Sequence, residues 1–74
     1  MQGINLDEPA DLTIWCSAPM RVKATEPISF NSLRAALTIA AKVLREPSLS
    51  PWIITAGGMI LTPMWLADYA AEMP

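Results

Sequence analysis

The most regular pattern in the chain is helical. Leu33, Ala36, Leu37, Ala40, Ala41 and Leu44 recur at i, i+3, i+4, i+7, i+8 and i+11, which gathers six apolar side chains on one face of an α-helix. Asn31 or Ser32 supplies its N-cap, because a short side-chain oxygen accepts from the N–H groups of the first turn. Glu46-Pro47 ends it, since proline disfavours helical backbone in the residue before it.

Upstream the period falls to two. Leu12, Ile14 and Cys16 share one face of a predicted strand, with Thr13, Trp15 and Ser17 on the other. Ser17-Ala18-Pro19 reads as a turn, and Met20 to Ala24 as a returning strand with Met20, Val22 and Ala24 opposite Arg21 and Lys23. Pro27 interrupts the stretch from Thr25 to Phe30, so a strand there is short or lies at an edge.

Downstream, two apolar runs, Trp52 to Thr55 and Met59 to Thr62, flank Ala56-Gly57-Gly58 and predict a β-hairpin. With Gly57 and Gly58 as a two-residue loop, Ile54 faces Leu61. Trp52, Ile54, Ala56, Met59 and Leu61 then form the core face, and Ile53, Thr55, Ile60 and Thr62 the second face. Thr62-Pro63 supplies N-cap and first residue of a last helix, whose apolar stripe is Leu66, Tyr69, Ala70 and Met73. Met64 and Trp65 extend the apolar surface around its side. The predicted order is β-β-α-β-β-α, a small single α+β domain of antiparallel hairpins packed on two helices. Residues 1–10 read as a weakly ordered acidic lead-in, and residues 11–74 as the domain.

Composition sharpens this picture. The chain has 74 residues, 53% of them hydrophobic, and only 16% charged. Adding glycine lifts the apolar share above the about 45–50% usual for soluble domains. A chain of this size buries only about 60% of its unfolded surface. The surplus apolar surface therefore points to a partner, and the first candidate is a second copy. Met64, Trp65 and Tyr69 on the last helix, with Ile53 and Ile60 on the second hairpin face, are the expected contact residues. Trp65 is the tryptophan expected to reach that interface, because its helix has a full core stripe without it.

Chemistry is mostly excluded. Without histidine, and with Cys16 alone, the chain has neither the commonest general base nor a four-ligand zinc set nor an internal disulfide. Only Ser, Lys and carboxylate chemistry remains, and no pair is convergently placed, so neither catalysis nor a cofactor is expected. Cys16 reads as a small buried hydrophobe, and the lack of paired cysteines fits a reducing, cytoplasmic setting. Pro47 to Ala67 carries no charge over 21 residues, but three prolines and a Gly-Gly pair break any helix long enough to span a membrane.

Charge adds one further candidate. Residues 1–20 carry net −3, residues 21–45 net +4, and residues 46–74 net −3. Arg34, Lys42 and Arg45 lie on the polar side of the first predicted helix, a patch that suits an anionic ligand. A sequence pI near 4.7 argues against general nucleic-acid binding, which depends on neutralising phosphates. The expected role is thus a self-associating interaction or scaffolding domain, with anion binding through the basic face as the alternative.

Overall fold

A computed structural model describes residues 5–18, 21–24 and 26–72. In chain order these form β1 (Ala10–Ala18), β2 (Arg21–Ala24), β3 (Ile28–Phe30), α1 (Leu33–Val43), β4 (Leu49–Thr55), β5 (Ile60–Leu61) and α2 (Pro63–Ala71). All pairings are antiparallel. β2 and β3 both pair along the flank of β1 that faces away from β4, so together they act as one edge strand interrupted near Pro27. The sheet order is then β2/β3, β1, β4, β5, and the predicted α+β order holds. β1 runs further than expected, through Ala18, which pairs with Arg21; Pro19, Met20 and Met73 lie outside the described residues.

Both helices begin where their sequences place them. Ser32 caps α1, its Oγ accepting from the Ala35 N–H at 3.2 Å. Thr62 caps α2, its Oγ1 accepting from the Trp65 N–H at 3.2 Å, with Pro63 in the first turn. The helices lie on one face of the sheet. Leu33, Ala36, Leu37 and Ala40 of α1, with Leu66 of α2, are buried against Ala10, Leu12, Ile53 and Leu61 of the strands. Leu12 and Ile53 are directly opposed across β1 and β4 and are both fully buried. Burying a side chain of that size contributes about 1.5–3 kcal/mol.

Of the stretch 1–10, read from sequence as a weakly ordered lead-in, the described residues 5–10 are tied to three parts of the fold. Ala10 already belongs to β1 and to the core. The Leu33 N–H donates to the Glu8 carbonyl at 2.7 Å, and the Arg34 N–H to the Leu6 carbonyl at 3.0 Å. Together with Ser32 they satisfy the first-turn donors that a helix leaves without intrahelical partners. At the other end of the strap, the Ala56 N–H donates to the Pro9 carbonyl at 2.9 Å and the Gly57 N–H to Glu8 Oε1 at 3.0 Å. Leu6 packs against the edge of the core.

The β4–β5 hairpin sits where predicted, but its register is shifted by one residue. Ile53 pairs with Leu61 and Ile54 with Ile60, because the loop has three residues, Ala56-Gly57-Gly58, rather than two. Thr55 closes it three times: its N–H donates to the Met59 carbonyl at 2.9 Å, its carbonyl accepts from the Gly58 N–H at 2.9 Å, and its Oγ1 accepts from the Met59 N–H at 3.1 Å. Gly58 takes φ +92°, a left-handed conformation that glycine adopts without a Cβ penalty. Side chains alternate with period two, so this slip reverses the faces of β4. Ile53 and Thr55 are buried, whereas Trp52 and Ile54 lie on the other side.

Among the described residues, no helix is long and apolar enough to cross a membrane. Cys16, expected inside, is exposed. The buried core residues of β1 are Ala10 and Leu12, and Ile14 is only partly buried, so the cover over this strand thins out before it reaches Cys16.

Candidate interaction surface

The face of the sheet turned away from the helices collects alternate residues from three strands. β1 contributes Asp11, Thr13 and Trp15; β4 contributes Ser50, Trp52 and Ile54; β5 contributes Ile60. Cross-strand pairing sets these side by side: Thr13 opposite Trp52, Trp15 opposite Ser50, and Ile54 opposite Ile60. Trp15 is 42% exposed, Ile54 49% and Ile60 60%. Trp15, Ser50 and Trp52, with Pro63 at the start of α2, line an open hollow of about 500 Å3. Among the described residues the carboxylate on this face is Asp11, which accepts from the Ser29 hydroxyl at 2.9 Å. The surface is thus apolar and aromatic at its centre, with the charge of Asp11 near the β3 edge.

The five expected contact residues do not share one surface. Ile60 stands on the open sheet face. Ile53 does not: it is fully buried in the core, because the longer loop turns it toward the helices. Met64 is 77% exposed in the first turn of α2, next to Pro63 of the hollow. Trp65 and Tyr69 are half-buried against the margin of the core and stack on each other, ring centroids 5.3 Å apart and planes 10° from parallel. Trp15 is therefore the exposed tryptophan of the three, not Trp65. Trp15, Trp52 and Ile54 were not among the expected contacts. The alternation of β1 already separates Trp15 from Leu12, but Trp52 and Ile54 depend on the hairpin register.

The basic residues expected on the first helix are separated in use, with Arg34 and Lys42 on α1 and Arg45 just past its end. Arg34 forms an ion pair with Asp7 at 3.5 Å, both side chains being exposed. Lys42 and Arg45 are exposed near the other end of the helix, and neither is in an ion pair among the described residues. The side chains of Arg21 and Lys23 lie outside the described ones. Among the described residues, no three His, Cys, Asp or Glu side chains gather as a metal-binding group. No protein-family model matches the chain, and neither a curated protein nor a solved structure matches it.

Proposed function

We propose that this protein is a self-associating interaction domain that works through the open face of its sheet. The observation that carries this reading is the continuous placement of Trp15, Trp52, Ile54 and Ile60 on a face that neither helix covers. Aromatic side chains supply large contact area and mark the centres of protein interfaces. Two sheets stack face to face at about 10 Å, so a second copy related by a two-fold axis covers this patch with the same patch. Among the described residues Asp11 is the ionised group on this face, and it lies toward the β3 edge, away from the aromatic centre of the contact. No catalytic step enters the proposal. The exposed, lone thiol of Cys16 suits a reducing compartment such as the cytoplasm.

Tryptophan emission tests the proposal directly, because association moves the Trp15 indole from water into a contact. On concentrating the protein through the micromolar range, the emission maximum shifts to shorter wavelength, and Trp15→Phe removes most of that shift. An emission spectrum that is constant over the whole concentration range overturns the reading.

A further inference from the structure

A second surface lies on α2, away from the open sheet face. Trp65, Asp68, Tyr69 and Glu72 recur at i, i+3, i+4 and i+7 and line an open hollow of about 220 Å3. Its lining combines the stacked indole–phenol pair with two carboxylates. Asp68 and Glu72 are exposed, and neither is in an ion pair among the described residues. The sequence has no lysine or arginine after Arg45, so the acids of this helix have no basic neighbour along the chain. An aromatic face beside carboxylates fits cationic side chains: the cation lies against the ring while its N–H groups donate to the carboxylate.

The complementary group is present in the same chain. Lys42 lies in the last turn of α1 and Arg45 just past its end, three residues on, while Asp68 lies on α2 and Glu72 at its C-cap, four residues on. The two pairs have similar spacings along the chain, three and four residues, so two cations can meet two carboxylates together. Within one copy they do not meet, since neither base lines the hollow. α1 and α2 pack beside each other in one layer. A two-fold rotation that places α1 of one copy on α2 of another therefore also places the reverse pair together. We propose that the acid-and-aromatic face of α2 docks the Lys42–Arg45 end of α1 from a second copy. This rests on the reading of the protein as self-associating, but it uses a different surface, and it links sheet-paired dimers into larger assemblies.

Charge reversal tests it with the full chain. Two variants are needed, Asp68→Lys/Glu72→Lys and Lys42→Glu/Arg45→Glu, with mass measured by light scattering at low and high ionic strength. Wild type is expected to exceed the dimer mass at low salt and to fall to it at high salt, because screening weakens contacts between exposed charges. Each variant alone stays at the dimer mass at either salt, and an equimolar mixture of the two regains the larger mass. A wild-type mass independent of salt, or a mixture that gains nothing over its components, overturns the docking. The sheet contact is read separately in an Ile54→Asp background. There, mass that still rises at low salt and drops to monomer at high salt supports the helix contact alone. Monomer at both salts refutes it.

Discussion

Ile53 and Ile54 are consecutive in β4 and stand on opposite sides of the sheet, the first fully buried beneath the helices and the second half exposed on the open face. The chemistry of the two side chains is identical, so any difference between their substitutions reports the environment alone. Ile53→Ala leaves a cavity between Leu12 and Leu61 and is expected to lower stability by about 2–5 kcal/mol. Ile54→Ala is expected to cost about 1 kcal/mol or less in the dissociated chain. Urea denaturation of the two variants at a concentration where association is absent makes the comparison. Equal losses would contradict the assigned register.

The strap before β1 makes a second prediction. Glu8 accepts from the Gly57 N–H across 49 positions of sequence, so Glu8→Ala removes one of the two hydrogen bonds that hold the hairpin loop to the strap. The expected loss is about 1 kcal/mol, with faster amide exchange at Gly57. Glu8→Gln keeps an oxygen acceptor and is expected to retain most of the stability and the slow exchange.

The loop glycines separate conformational strain from crowding. Gly58 has open space around the position of a Cβ but a positive φ, so Gly58→Ala is expected to cost about 1–2 kcal/mol through backbone strain alone. At Gly57 a Cβ would stand 3.2 Å from Glu8 Oε1, and moving that carboxylate aside weakens its bond from the Gly57 N–H, a loss of at most about 1 kcal/mol. Gly57→Ala is therefore the milder substitution, which thermal unfolding of the two variants checks.

These residues also show which parts of the fold are legible in sequence. The α1 face, both helix caps and the position of the hairpin follow from spacing and residue type, because each leaves a signature in side chains. The register does not. Gly57-Gly58 serves equally as a two-residue loop or as the end of a three-residue one, and the choice rests on Thr55. As a polar residue it is expected outside, but its hydroxyl is satisfied by the Met59 N–H, so it can be buried. That one-residue slip moved Ile53 into the core and brought Trp52 and Ile54 to the surface. The strap left still less trace, since it acts through the carbonyls of Leu6, Glu8 and Pro9, which every residue type possesses.

The α2 cap provides a further check on local structure. Thr62 is the residue between β5 and α2, and its Oγ1 holds the Trp65 N–H. Thr62→Ala is expected to lower stability by about 1 kcal/mol, and Thr62→Ser to restore most of it. A Thr62→Ala variant as stable as wild type in chemical denaturation would show that the cap contributes nothing there.

The open sheet face as a self-association surface is tested most directly by sedimentation of the wild-type protein beside Ile54→Asp at micromolar concentration and high ionic strength, where contacts between exposed charges are screened. The wild type is predicted to sediment at twice the 8.1 kDa chain mass, and Ile54→Asp at the chain mass with an unchanged far-ultraviolet circular dichroism spectrum. A wild-type protein that sediments at 8.1 kDa, or an Ile54→Asp variant that keeps the wild-type mass, would contradict it.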